Sequence, residues 1–179
     1  MRERGKIRGR ERGQAAVELA LLLPILVMLL FGVVQLARVY YVYHTLQKAV
    51  RAGAGFIAHL SNVNYCDDQN AMFLDARNYI VYGNLEGSGT PVVNGLTPEM
   101  VQIIPERADV ETSSVAQCAC SDDGASCDIT TSGRAPDYVV VNLGEAGFPV
   151  DVRFPFVNLG SVPLHVSVDR KSTRLNSSH

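Results

Sequence analysis

The sequence lacks the short motifs that mark common catalytic and nucleotide-binding sites. It contains no P-loop, no His-Glu-x-x-His and no Gly-x-Ser-x-Gly. His44, His59 and His165 stand apart from one another in the chain. The run Asp122-Asp123-Gly124 has too few oxygen ligands for a calcium loop and predicts a turn. We therefore expect no enzyme activity, no cofactor and no metal site.

A large net charge is also absent. The sequence has 16 basic and 18 acidic residues, a formal net charge of -2, which argues against a nucleic-acid-binding protein. With 47% hydrophobic and 19% charged residues, the composition is not that of a disordered chain. The 179 residues suffice for one ordinary domain.

Charged residues are missing altogether from Leu19 to Ala37, an almost purely apolar run. At roughly 1.5 Å per residue a helix over this run is about 28 Å long, close to the thickness of the hydrocarbon core of a bilayer. A secretory signal peptide is the simpler interpretation. However, the run exceeds a typical signal-peptide core and no A-x-A-like cleavage site follows it. The sequence thus favours a retained transmembrane anchor in contact with the lipid bilayer.

The leader, residues 1–13, contains six basic and two acidic residues. By the positive-inside rule it stays cytoplasmic, and the C-terminal part lies on the far side of the membrane. The chain is therefore expected to cross a membrane once, with its C-terminal domain on the exported side.

All four cysteines, Cys66, Cys118, Cys120 and Cys127, fall in the part expected to be exported, where disulfides persist. Sequence alone permits three pairings. We expect a local bridge from Cys118 or Cys120 to Cys127 around the turn at 121–126, which leaves the other cysteine for Cys66. A zinc site is the alternative, although Cys-x-Cys without a second close pair lacks the usual ligand spacing.

Apolar residues recur at three- and four-residue intervals well beyond the uncharged run, which predicts one long helix from Ala15 to Ala58. Pro24 removes one hydrogen bond of that helix. Three tyrosines occupy the expected membrane exit and are predicted to anchor there: Tyr40, Tyr41 and Tyr43. A second helix is expected after a cap at Asp67 or Asp68, ending at Gly83.

Short runs with strand character follow the second helix, at Met100–Ile104, Tyr138–Asn142, Val150–Phe156 and Val162–Val168. Strands after helices imply an α+β fold in which a long N-terminal transmembrane helix precedes a small antiparallel sheet domain. Residues 169–179 have no apolar pattern and look like a non-native tail. The expected segments are leader 1–13, transmembrane helix 14–37, exported continuation 38–60, exported domain 61–168 and tail 169–179.

The most specific motif lies at the start of the apolar run, where Gly13-Gln14-Ala-Ala-Val-Glu18 follows the basic leader. A carboxylate at the edge of a transmembrane segment is costly and usually has a partner. Together with Gln47-Lys-Ala-Val-Arg-Ala-Gly53, the motif resembles the TadE-like family, pilin-like proteins of the tight-adherence or Flp pilus system.

This resemblance implies a pilin-like form of the α+β fold and a location in a bacterial inner membrane, with the C-terminal domain periplasmic or extracellular. The same resemblance implies cleavage between Gly13 and Gln14 by a prepilin peptidase. It also implies that Glu18, then the fifth residue, pairs with the N-terminal amine of a neighbouring pilin-like subunit. The resulting hypothesis is a membrane-anchored, non-enzymatic pilin-like subunit that acts in assembly or priming of tight-adherence pili, and so in adhesion. The alternative is a membrane-tethered exported binding domain, or a small enzyme, for which Gly13 and Glu18 are incidental.

Overall fold

The computed structural model has an α+β fold, as predicted, with one long N-terminal helix followed by a short helix, a four-stranded antiparallel sheet and a two-stranded sheet. Its helices are α1 (Arg4–His59) and α2 (Ala71–Tyr82), with a short 3-10 turn at Pro98–Met100. Its strands are β1 (Gln102–Ala108), β2 (Val115–Gln117), β3 (Tyr138–Asn142), β4 (Phe148–Arg153), β5 (Asn158–Leu164) and β6 (Ser167–Lys171). The structure describes residues 4–60, 63–67, 69–108, 114–118, 120, 127–128, 134–154 and 158–171.

The chain divides into two compact units. The first unit comprises Met1–Tyr40 together with Asp151–Gly160. The second comprises Tyr41–Val150 and Ser161–His179, and it contains α2 and the four-stranded sheet. Helix α1 contributes residues to both units.

Helix α1 runs without interruption through Pro24 and begins 11 residues before the predicted start at Ala15. Its C-terminal part belongs to the second unit, where one face is fully buried. The four residues of this face lie at three- and four-residue spacing, the period of an α-helix: Leu46, Val50, Ala54 and Ile57. This stripe begins shortly after the uncharged run, so α1 changes from an exposed apolar helix to a helix with one buried face.

Helix α2 begins at a different cap from the one predicted. Asn70 is the N-cap residue, and its side chain accepts a hydrogen bond from the Met72 amide at 3.0 Å. Asp67 instead closes a local turn, because its carboxylate accepts from the Gln69 amide at 3.0 Å. Asp68 lies outside the described residues. At the other end the prediction is confirmed, since Gly83 is the C-cap in the left-handed region, at φ 73°.

The two helices approach each other closely at Gly53. A methyl group at this position would lie 2.1 Å from Cγ1 of Ile80. One turn away, the rings of Phe56 and Tyr79 have centroids 5.6 Å apart. Gly53 and Ile80 are both buried, so glycine is what allows α2 to pack directly on the α1 backbone.

The main sheet is antiparallel, with strand order β2-β1-β3-β6. Strand β3 is central, pairing Val139 with Pro105 of β1 on one side and with Arg170 of β6 on the other. Val139, Val140 and Val141 are all buried, so β3 is covered on both faces. The edge strand β2, in contrast, is exposed along its whole length.

Of the four predicted strands, only Tyr138–Asn142 has the predicted bounds. Strand β1 begins at Gln102 and continues through Pro105 to Ala108. Pro105 lies beyond the paired part of β2, and its carbonyl oxygen accepts a hydrogen bond from the Cys118 amide at 2.9 Å. Strand β4 begins two residues earlier than predicted, at Phe148, and ends at Arg153. The predicted end of that strand, Phe156, lies outside the described residues.

The predicted strand Val162–Val168 is wrong as a single element. It contains the end of β5 and the start of β6, which belong to different sheets and are separated by His165 and Val166. Strand β6 continues to Lys171, so the strand pairing includes the first three residues of the segment that the sequence marked as a tail. Residues 172–179 lie outside the described residues.

Candidate functional site

The three residues of the predicted processing motif lie on one continuous helix. Gly13, Gln14 and Glu18 all belong to α1, and all three are exposed. A methyl group at Gly13 would meet no atom within 4 Å. The Gly13–Gln14 bond is therefore helical, and a protease would have to unwind this part of α1 to bring the bond into an extended conformation. Glycine eases that step, since it stabilises a helix less than any residue except proline.

After this motif the helix surface is apolar on every side. From Val17 to Leu36, the large hydrophobic side chains are between 38% and 72% exposed. The segment Gly13–His59 is long and apolar enough to cross a membrane, and none of its most apolar window is buried within the chain. Such a surface is unfavourable in water and needs lipid or other apolar helices around it.

Two of the three predicted anchor tyrosines are highly exposed, Tyr40 at 67% and Tyr41 at 71%. Tyr43 is half-buried, with its ring edge-on to the ring of His44 at a centroid distance of 5.8 Å. Exposed tyrosines just after an apolar run of a helix are typical of a membrane interface.

A polar side chain that sequence reasoning overlooked lies near the end of the apolar run. The amide Nε2 of Gln35 donates a hydrogen bond of 2.7 Å to the carbonyl oxygen of Arg153, at the end of β4. The sequence shows that Gln35 is polar, but it offers no signal for a partner 118 residues away.

The four cysteines form two pairs. Cys118 is bonded to Cys127 and Cys66 to Cys120, which is one of the two arrangements that the sequence left open. The turn at 121–126, around which the local bridge was expected, lies outside the described residues. The longer bridge joins the segment between the two helices to the residues that follow β2.

The shorter bridge is partly buried beside an arginine. Cys127 is fully buried, and its sulfur lies 3.4 Å from Nη2 of Arg107 in β1. The same Arg107 nitrogen donates to the carbonyl oxygen of Arg134, whose own side chain forms an ion pair with Asp137 at 2.8 Å. These contacts fix the chain around the bridge to the middle of the sheet.

The segment before Cys66 is held against α1 by Tyr65. Its hydroxyl donates to the carbonyl oxygen of Ile57 at 3.4 Å, and its ring packs edge-on against Phe73 of α2. Burial raises the pKa of Tyr65 to about 12, because the charged phenolate would lose its hydration. The hydroxyl therefore stays protonated and able to donate throughout the physiological pH range.

In the part of the chain that the structure describes, no three His, Cys, Asp or Glu side chains lie close enough to hold a metal ion. Asp122, Asp123 and Gly124 lie outside that part. Two open grooves are present in the second unit, of about 290 and 500 Å³. The smaller is lined by Thr45, Lys48, Ala49, Ala52, Tyr79, Ile80, Gly83 and Val92, and the larger by Glu99, Met100, Gln102, Leu143, Gly144, Glu145, Ala146, Gly147 and Pro149.

Residues 13–55 match the family model described as TadE-like protein. This segment is TadE-like. The match starts at Gly13 of the predicted processing motif and ends shortly after Gly53, so it confirms the resemblance found in the sequence. Comparison with curated proteins and with solved structures gave no match.

The TadE-like segment includes the whole exposed apolar run and the first part of the buried stripe of α1. It contains Gly13, Gln14 and Glu18, and excludes α2, both sheets and all four cysteines. The match thus lies on the long helix alone.

Proposed function

We propose that this protein is a membrane-anchored, pilin-like subunit that acts in assembly or priming of tight-adherence pili, and through them in adhesion. One observation carries the proposal. The TadE-like segment 13–55 contains the run from Val17 to Leu36, whose large apolar side chains are all exposed. A helix of this kind can remain in the bilayer or pack laterally against equivalent helices, and pilus assembly requires both states.

The proposed topology follows from charge. The basic leader 1–13 stays cytoplasmic, residues 14–37 cross the inner membrane, and the rest of α1 with residues 61–168 lies in the periplasm or on the fibre surface. Two disulfide pairs in this last segment support the assignment, since disulfides persist in oxidising compartments. Residues 169–179, for which a non-native origin is proposed, have no role in the proposed function.

We expect processing between Gly13 and Gln14. Co-expression of the full chain with a prepilin peptidase should yield a membrane-bound species that lacks residues 1–13, read by intact-mass spectrometry of the membrane fraction. Gly13→Val should abolish the mass loss, because a β-branched residue blocks close access to the bond and Gly13 has no structural neighbour that would be disturbed.

Gly32→Ala is the matched control for this experiment. Gly32 lies on the same helix and likewise has no atom within 4 Å of an added methyl group. This variant should be processed like the wild type. Full-length protein persisting beside an active peptidase would count against the pilin interpretation and in favour of an uncleaved anchor.

A separate expectation concerns Glu18. After processing, its carboxylate would pair with the N-terminal amine of a neighbouring subunit, an interaction that lipid screens weakly. The Glu18→Gln variant should still lose residues 1–13, but pilus-dependent surface attachment should be abolished. Glu18→Asp keeps a carboxylate and should retain part of the attachment. Glu86→Gln removes an exposed carboxylate elsewhere and should have no effect. Normal attachment by cells carrying Glu18→Gln would exclude this role.

A further inference from the structure

Gln35 is the single polar side chain between Leu19 and Ala37. An amide that faces hydrocarbon without hydrogen bonds is costly, so a glutamine in such a run usually has a partner or lies near the interface. Here the partner comes from the same chain, as the Arg153 carbonyl oxygen accepts from Gln35 Nε2 at 2.7 Å. The other amide atom, Oε1, is buried and has no partner among the described residues.

The depth of this contact can be placed along the helix. Gln35 follows Glu18 by 17 residues, which corresponds to about 26 Å of helix at 1.5 Å per residue. The hydrocarbon core is about 30 Å thick. With Glu18 at one boundary, Gln35 lies just inside the other boundary. The Arg153 carbonyl, bonded to it, must lie at the same level.

The residues around that carbonyl suit a lipid headgroup region. The side chain of Arg153 is 73% exposed, and only its Nη2 is within ion-pair distance of Asp151, at 3.2 Å, so the guanidinium retains donors for a further acceptor. Phe154, the next residue, is half-buried. Arginine and aromatic side chains are the types that reach lipid phosphates and interfacial carbons from a membrane surface.

We propose that the end of β4, Asp151–Phe154, is a second membrane contact of this protein, seated in the phospholipid headgroup region beside α1 and held there by Gln35. The occupant of this surface is the bilayer itself. The proposal requires α1 to span a membrane, but it requires neither processing nor pilus assembly.

The absence of tryptophan from the sequence makes the proposal directly measurable. The full chain carrying Phe154→Trp is reconstituted in phosphatidylcholine–phosphatidylglycerol vesicles, either unbrominated or brominated near the glycerol or deep in the acyl chains. The indole fluorescence of this variant should be quenched severalfold more by the shallow bromine than by the deep one. Arg153→Trp serves as a second reporter, because it preserves the backbone carbonyl that Gln35 binds.

Leu29→Trp is the reference for the anchor, as Leu29 is 67% exposed in the middle of the apolar run. Its fluorescence should be quenched more by the deep bromine. Adding Gln35→Leu should remove most of the quenching at position 154 and leave that at position 29 unchanged.

The outcomes distinguish the transmembrane anchor from the second membrane contact. Without quenching at position 29, α1 is not in the bilayer and the anchor itself is refuted. With quenching at position 29 and none at either 153 or 154, the second membrane contact is refuted. An emission at 154 that is insensitive to bromine and changes with the protein-to-lipid ratio would assign the surface to another copy of the chain, and would equally overturn the proposal.

Discussion

Replacing Cys66 and Cys120 with alanine should lower the free energy of unfolding of the second unit by about 4 kcal/mol. This bridge closes a loop of 54 residues, and in the chain-entropy model a cross-link destabilises the unfolded chain more as its loop grows. The Cys118–Cys127 bridge spans nine residues, for which the same model gives about 2.5 kcal/mol. The longer bridge also joins the segment between α1 and α2 to the residues after β2, which are far apart in the chain.

The measurement is denaturant unfolding of the full chain in detergent micelles, followed by near-ultraviolet circular dichroism with and without reductant. The Cys66→Ala/Cys120→Ala variant should unfold at a clearly lower denaturant concentration than the wild type. Cys118→Ala/Cys127→Ala removes the shorter bridge, and it also removes the fully buried sulfur of Cys127. An unchanged midpoint in the first variant would show that the longer bridge adds no stability.

Gly53→Ala should destabilise the contact between α1 and α2 by about 1–3 kcal/mol, the usual cost of overpacking. The added methyl group would lie 2.1 Å from Cγ1 and 2.4 Å from Cδ1 of Ile80, and Ile80 is fully buried and branched at Cβ. Relief therefore requires a shift of α2 or an unfavourable rotamer. The higher helix propensity of alanine, about 1 kcal/mol, offsets part of this cost.

Gly55→Ala is the matched control, because Gly55 lies on the same helix two residues from Gly53. A methyl group at Gly55 would have no atom within 4 Å. It should be neutral or stabilising, because only the helix propensity changes. Combining Gly53→Ala with Ile80→Ala should cost less than the sum of the two single changes, as the smaller side chain makes room for the methyl group. Additive costs, measured by the same unfolding assay, would mean that the two residues do not contact each other.

Sequence patterns predicted the helical part of this protein well because its signals are local. The uncharged run and the three- and four-residue spacing of Leu46, Val50 and Ala54 indicated α1, and Gly83 marked the end of α2. The N-cap was misassigned because Asp67 and Asn70 are both good capping residues, and only their backbone hydrogen bonds distinguish them.

Strand bounds were harder to predict for a physical reason. Apolar residues alternate with others from Val162 to Val168, and this period-two pattern continues across the corner at His165 and Val166. Alternation therefore gave no sign that the chain changes sheets. The contact of Gln35 could not be predicted from the sequence, because its partner is a backbone carbonyl, a group that every residue has.

The position of β3 also bears on the order in which this protein can fold. Strand β3 pairs with β1, which precedes it, and with β6, the last strand of the described chain. A ribosome delivers residues 138–142 well before residues 167–171, so the nascent chain carries β3 with one side unpaired for that interval. During it the valines of β3 are a potential site for association with other chains. Premature termination before residue 167 should thus yield an aggregation-prone product rather than a smaller folded one.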